Sequence, residues 1–310
     1  MSKQTKLRHL GLLIPTHAPG IQADIAIQFA RRAEEAGVDS VWVYDRLAFE
    51  NPEPLTLLGA IAAVTSRVRI GPNVLLPAIR PPALLAKMLA TIDQISGGRL
   101  ILGVGAGSKT DDFAGVETSF ERRGKRLDEA LEILKLAWKG GPVRYRGEFY
   151  DIDAGPIGPL PVQRPHPPIW VGGFEEPAFR RVARFGDAYL ATSARGPLFL
   201  QQAMEKIRLY AQEQGRDPET ILPAAVVHTA LADDRGSALA LAKRYFLHYR
   251  GPDAEVPPHI MMGNESQCLQ TAREYLDAGA QALIIAPVTV DLEHLERICR
   301  EIIPRLPVAG

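Results

Sequence analysis

Cysteine is nearly absent from this chain. Only Cys268 and Cys299 occur in 310 residues, with no CxxC spacing, so neither a disulfide scaffold nor a zinc site is expected, and no metal is assigned. An excess of one charge is missing too: 36 Lys and Arg balance 36 Asp and Glu, which leaves no positive field to hold nucleic acid or an anionic membrane. No apolar run approaches the ~18 residues of a membrane-spanning helix. The opening MSKQTKLRHLGLLIP carries too short an apolar run for a signal peptide. A cytoplasmic setting is the expectation. What the chain does have is 46% hydrophobic against 23% charged residues, enough to bury a large core and to exclude intrinsic disorder.

Short β-rich runs alternate with helix-patterned ones. HLGLLIP (9–15) precedes IQADIAIQFARRAEEAG, which closes at Gly37 as a helix C-cap does. The unit recurs with strands at 40–44, 68–76, 99–107, 168–173, 187–193, 224–231 and 282–287, each followed by a helical pattern; LEHLERICREII closes the series. Eight near-continuous apolar strands, each followed by a helix, predict a parallel sheet buried on both faces. A doubly wound open sheet also alternates. Eight units with no linker or composition break between halves favour closure into a (β/α)8 TIM barrel, an α/β fold, as one domain over 1–310. Two stretches interrupt the rhythm, 141–167 with a hairpin-like VRYRGEFYDID, and 250–264, RGPDAEVPPHIMMGN. Both read as insertions at the barrel mouth or edge, with Met261 and Met262 placed to close over a ligand.

In such a barrel the chemistry lies at the C-terminal ends of the strands. The residues there are polar: Thr16 and His17 after the first strand, Asp45 and Arg46 after the second, Asn73 on the third, Gly105, Gly107 and Ser108 after the fourth, Gly172 and Gly173 after the fifth, Thr192, Ser193 and Arg195 after the sixth, and His228 on the seventh. A lone histidine is usually structural and a strand-end Asp usually an N-cap, but here the residues share one rim. GVGAGSKT (103–110) fails as a P-loop and as a dinucleotide fingerprint at Ser108. IWVGGFEEPAFRRV is the better anion site, since two residues without Cβ precede a helix start and Arg195 follows the next strand.

These residues carry a resemblance. AEEAGVDSVWVYDR (33–46), SRVRIGPNVLLPAIRPP (66–82), TIDQISGGRLILGVGAG (91–107), FERRGKRLDEALEILKLAW (120–138), PPIWVGGFEEPAFRRVARFGDAYLATS (167–193) and GNESQCLQTAREYLDAGAQALII (263–285), in this order, resemble the bacterial luciferase-like oxidoreductases. That family includes FMNH2-dependent monooxygenases and F420-dependent enzymes on the barrel already inferred. The resemblance implies a reduced flavin or deazaflavin, FMN or coenzyme F420, across the mouth. Its phosphate would meet Gly172, Gly173, Phe174 and Arg195, and its ring would lie near Asn73, Val74, Gly105, Ala106 and Gly107. It also implies a cis Asn73–Val74 peptide, catalytic roles for His17, Asp45 and His228 on a small organic substrate, and a homodimer, served by a flavin reductase if FMNH2 is used. The two histidines are taken to titrate near neutrality. The chain departs from the sugar-phosphate dehydrogenases of the F420 branch, with Arg46 where their Asp-His pair has histidine and Ser108 where an acid is expected. The alternative is a cofactor-independent barrel hydrolase or isomerase using His17, Asp45 and His228.

Overall fold

The computed structural model describes residues 6–308. Eight parallel strands form the wall: β1 (His9–Leu13), β2 (Ser40–Val43), β3 (Arg69–Pro72), β4 (Leu102–Val104), then, after the β5 (Pro142–Arg146) and β6 (Asp151–Pro156) hairpin, β7 (Ile169–Gly172), β8 (Ala188–Thr192), β9 (Leu222–Leu231) and, after the short β10 (Met261–Gly263), β11 (Ala282–Pro287). Their order around the sheet is β3-β2-β1-β11-β9-β8-β7-β4. Bridges from Ile70 to Leu100 and from Leu75 to Val104 bring β3 against β4. That contact closes the ring into the expected barrel.

The strands are largely apolar because both their faces are covered. All six residues of β11 are buried, as are nine of the ten in β9. The outer layer is α1 (Ala23–Glu35), α2 (Pro54–Val64), α3 (Pro82–Ile95), a short α4 (Thr110–Ala114), α5 (Arg123–Trp138), α6 (Glu176–Phe185), α7 (Gly196–Glu213), α8 (Arg235–Arg250), α9 (Glu265–Asp277) and α10 (Leu292–Arg297). The last runs into a π-helical turn at Ile298–Ile302, so the closing segment is less regular than its sequence pattern. No described helix is long and apolar enough to cross a membrane.

The interior is filled by two indoles. Trp42 of β2 and Trp170 of β7 lie 5.0 Å apart. Room for them comes from glycines on neighbouring strands: a Cβ on Gly71 would stand 2.9 Å from Trp42 Cζ3, and one on Gly11 2.8 Å from Trp42 Nε1. Both are closer than carbon atoms pack.

The two insertions take different forms. The 141–167 stretch makes the antiparallel β5–β6 ribbon and is then pinned by Asp93 of α3, whose Oδ2 accepts the Val162 and Gln163 N–H groups at 2.7 and 3.0 Å. In the 250–264 stretch, Met261 and Met262 form β10 beside β9. Met261 is fully buried with Sδ 3.6 Å from Thr229 Oγ1. The pair therefore packs into the wall, correcting the expectation that it closes over a ligand.

Candidate functional site

Tyr44, one residue beyond β2, shares the inner face with Trp42 two positions earlier, as strand alternation requires. Its ring is the platform of the C-terminal mouth. His17 stacks on it at 4.0 Å with the rings 19° apart, and Tyr249, near the end of α8, also stacks with His17 at 4.4 Å and 18°. Phe49 closes the edge at 5.1 Å. His17 is 1% exposed, and both its ring nitrogens are buried without a hydrogen-bond partner among the described residues.

The other side of Tyr44 carries a chain of hydrogen bonds. Tyr245 Oη donates to Tyr44 Oη at 3.3 Å, and Tyr44 Oη lies 3.1 Å from His228 Nε2. His228 Nδ1 lies 2.9 Å from Ser193 Oγ. Because Tyr44 accepts from Tyr245, its own proton is left to donate to Nε2, so His228 carries its proton on Nδ1 and donates it to Ser193. The two histidines lie on strands separated by β11, as the strand order expected from the sequence requires, and they meet through one tyrosine.

Burial sets their charge. Burial first, then the nearby Arg46, His228 and His248, holds the His17 pKa well below its ordinary value. Burial and then Arg250 push His228 down to about 3. Both are neutral near pH 7, which corrects the expectation that they titrate there: removing an imidazolium from water costs more than these surroundings return.

Asp45 is placed differently from what its position at the strand end suggests. Arg80 donates Nη1 to Oδ2 at 2.6 Å and Nη2 to Oδ1 at 3.0 Å, and the Leu76 N–H donates to Oδ2 at 2.8 Å. Burial pushes the Asp45 carboxyl up against the pull of Arg80. In return, Asp45 and Glu53 raise Arg80 despite its own burial. The carboxylate thus anchors the segment that follows β3. Arg46 is likewise engaged, its Nε donating to Asp112 at 2.6 Å while Asp112 Oδ1 accepts the Leu47 and Ala48 N–H groups, both at 2.9 Å.

The segment Asp45 anchors contains the cis Asn73–Val74 peptide. Val74 turns its methyls toward β4 and β7, where a Cβ on Gly105 would stand 2.5 Å from Cγ2 and one on Gly172 3.1 Å from Cγ1. Asn73 Nδ2 is buried with no hydrogen-bond partner among the described residues. Leu75 bonds across the seam at both its backbone groups: its N–H donates to the Gly103 carbonyl at 2.9 Å, and its carbonyl accepts from the Gly105 N–H at 3.0 Å. Half-buried Ala106 follows, and the Gly107 carbonyl accepts from Arg123 Nε of α5 at 2.8 Å.

Gly172 and Gly173 end β7 ahead of α6, and Phe174 is 42% exposed. Arg195 lies over Phe174, its guanidinium carbon 4.7 Å from the ring centroid. The structure therefore brings Phe174 of the Gly172–Phe174 turn and Arg195 together. Tyr44, Tyr245, Tyr249 and Arg80 were not singled out from the sequence. Tyr44 alone had a signal, its place at a strand end beside Asp45. A cavity of about 630 Å³ lined by Arg8, His9, Asp39, Arg69 and Trp170 opens at the opposite, N-terminal end, where barrels build stability rather than chemistry.

Comparison with known proteins agrees with the barrel. The luciferase-like monooxygenase family model matches residues 9–296. The F420-dependent glucose-6-phosphate dehydrogenase of Amycolatopsis mediterranei (strain U-32) is 28% identical over 319 residues, covering 92% of this chain and 95% of that protein. Among solved structures, the monooxygenase RslO1 from Streptomyces bottropensis superposes with a TM-score of 0.82 at 25% identity, over 96% of this chain and 98% of that one. The coenzyme F420-dependent tetrahydromethanopterin reductase from Methanopyrus kandleri superposes with a TM-score of 0.82 at 22% identity, over 97% and 99%.

Proposed function

The chain belongs to the luciferase-like monooxygenase family, and we propose that it is an oxidoreductase acting on a small organic molecule with reduced FMN or F420 held across the C-terminal mouth. The observation that carries the placement is the orphaned Asn73 amide: a buried donor with no partner among the described residues, next to Val74, whose methyls pack over Gly105 and Gly172, fits the polar edge of a planar ring. When bound, such a cofactor supplies hydride transfer or oxygen chemistry at its ring. The residues of this chain do the rest.

Asn73, Val74, Gly105, Ala106 and Gly107 line the ring side of the mouth. Gly172, Gly173 and Phe174 offer backbone N–H groups to the phosphate, and Arg195 offers a charge. His17, with both nitrogens unengaged, takes or gives the substrate proton. His228 acts through its neighbours, since Ser193 and Tyr44 occupy both of its nitrogens, and it orients Tyr44. Asp45 is a positioning residue that holds the Asn73–Arg80 segment through Arg80 and Leu76. Homodimerisation, a cytoplasmic setting and, with FMN, supply of reduced flavin by a separate reductase complete the reading.

Parallel fluorescence titrations with FMN and F420 test it. One of the two is expected to bind, and Arg195→Ala is expected to weaken that binding about tenfold, the worth of one charge-assisted hydrogen bond. Failure of both cofactors to bind defeats the reading, and an unchanged affinity in Arg195→Ala removes that residue from it.

A further inference from the structure

At the mouth, Arg46 and Arg80 are each bound to a buried carboxylate, Asp112 and Asp45. At the N-terminal end of the barrel the balance is reversed. Three arginines border the cavity of about 630 Å³ there, Arg8 just ahead of β1 and Arg67 and Arg69 at the start of β3. Arg8 Nη1 donates to the Gln281 side-chain oxygen at 3.2 Å and Arg67 Nη2 to the Glu34 carbonyl at 3.3 Å, and none of the three is ion-paired among the described residues. A guanidinium carries five N–H donors, so most of theirs are left over.

The acids on the same rim are engaged. Glu34 Oε1 accepts the Ser66, Arg67 and Val68 N–H groups at 2.7–3.0 Å, Asp39 Oδ2 accepts the Leu10 N–H at 2.6 Å, and Glu219 faces Arg208 at 3.7 Å. Donors are therefore in surplus. Beneath them lie the buried Val38, Val68 and Trp170, an apolar floor. His9 meets the Trp170 ring edge-on at 5.1 Å and is itself held: Trp42 Nε1 donates to Ser40 Oγ at 2.7 Å, and Ser40 passes its proton to His9 Nε2 at 2.6 Å. This chain of bonds assigns the His9 proton to Nδ1, one more donor at the cavity. Burial, against the pull of Asp39, pushes His9 down to about 4, so it is neutral near pH 7.

A hollow of this volume takes a small molecule, and a guanidinium fork matches the oxygens of a carboxylate or a phosphate two at a time. We propose that this cavity is a second ligand site, separate from the mouth, for a small oxyanion carried on an aromatic ring, an aryl carboxylate or aryl phosphate, with its oxygens among Arg8, Arg67 and Arg69 and its ring against Trp170. The lining comes from β1, β3, β7 and β9, so an occupant bridges opposite sides of the ring of strands. The site binds and does no chemistry, in keeping with its place at the N-terminal end, and it holds whatever cofactor the mouth takes.

Trp170 is the natural reporter. In Trp138→Phe protein, whose remaining indoles are Trp42 and Trp170, phenyl phosphate, phenylacetate and inorganic phosphate are titrated while tryptophan emission is followed. Phenyl phosphate or phenylacetate is expected to change the emission saturably and to bind more tightly than inorganic phosphate, which has no ring for the floor. Arg69→Ala is expected to weaken binding about tenfold or more, through loss of a charge-assisted hydrogen bond. Arg69→Lys, which keeps the charge without the fork, is expected to fall between the two. Arg8 and Arg69 are exposed, so these variants are expected to keep the parent's far-UV dichroism. Arg195→Ala, at the other end of the barrel, is expected to leave this affinity as it is. The proposal is overturned by no saturable change with either aryl anion, by inorganic phosphate binding as tightly as they do, or by unchanged affinity in both Arg8→Ala and Arg69→Ala. Loss of binding in Arg195→Ala also overturns it, by placing the anion at the mouth.

Discussion

A histidine stacked against two tyrosines, at 4.0 and 4.4 Å, and without a hydrogen-bond partner at either nitrogen among the described residues is poorly explained as packing. A leucine would fill the same space without the polar cost. If His17 handles the substrate proton, His17→Ala is expected to lower turnover about 10²–10⁴-fold while cofactor affinity, which the proposal assigns to Asn73 and the Gly172 turn, stays nearly constant. Stopped-flow rates beside cofactor titrations check this. Equal loss of both would assign His17 to structure.

The same burial makes stability depend on acid. His228 is pushed down to about 3, His9 and His294 to about 4, each chiefly by desolvation, and His17 well below its ordinary value. Below pH 6.5 the unfolded chain takes up protons that the folded one refuses. Stability is therefore full at neutrality and falls as pH drops through the window from about 6.5 toward 4. A group shifted to about 3 loses about 2 kcal/mol between pH 7 and 5, at ~1.4 kcal/mol per unit. Urea midpoints at pH 7, 6 and 5 should fall in that order, and less steeply in His228→Gln. At this scale the sequence showed His17 and His228 as rim residues. It hid Tyr44 between them, because a contact between residues 44 and 228 leaves no local pattern. It also showed Asp45 without its partner, since a strand-end carboxylate looks available until Arg80, 35 positions on, is folded onto it.

At the scale of elements, the periodicities that predict strands and helices are local physics, and all eight wall strands were visible in them. Less visible was why particular motifs recur among the quoted segments. In TIDQISGGR, Asp93 accepts from Val162 and Gln163, and Arg99 donates to the Ala62, Thr65 and Val68 carbonyls at the end of α2, at 2.8–2.9 Å. The motif is a clamp joining α2, α3 and the 141–167 insertion, and its charged residues serve no chemistry. The glycines of β1 and β3 serve Trp42 in the same structural sense. Gly71→Ala would drive a methyl to 2.9 Å from the indole and still closer to the Ile101 carbonyl oxygen. Because that oxygen is backbone and cannot rotate away, overpacking of about 1–3 kcal/mol is expected, read as a lowered urea midpoint. Ala60→Gly in α2, away from the indole, is expected to lose only about 1 kcal/mol, the helix-propensity difference.

At the scale of the molecule, closure makes the site. His17 follows β1, Tyr44 follows β2 and His228 lies on β9, so their stack and hydrogen bonds exist only once β11 has joined β9 to β1. The chain ends reinforce that junction, with Leu7 N–H donating to the Pro307 carbonyl at 2.8 Å and Leu7 bridging Val308. The opposite seam, β3 to β4, is held by two isolated bridges and the Ile101 N–H to Ile70 bond at 2.8 Å. A barrel that came apart there would still have to separate Trp42 from Trp170, which come from opposite halves and meet at 5.0 Å in the interior. Neither half buries its own inner face. The expectation is one cooperative transition, with far-UV circular dichroism and tryptophan fluorescence reporting the same urea midpoint. Trp138, on α5 with Nε1 donating to the Ala86 carbonyl, would blur the fluorescence, so Trp138→Phe gives the cleaner measurement of the interior pair. If fluorescence then changes at a midpoint about 0.5 M or more below that of dichroism, the halves separate while their helices persist. The chain would then be two stable half-barrels rather than a single folding unit over residues 1–310.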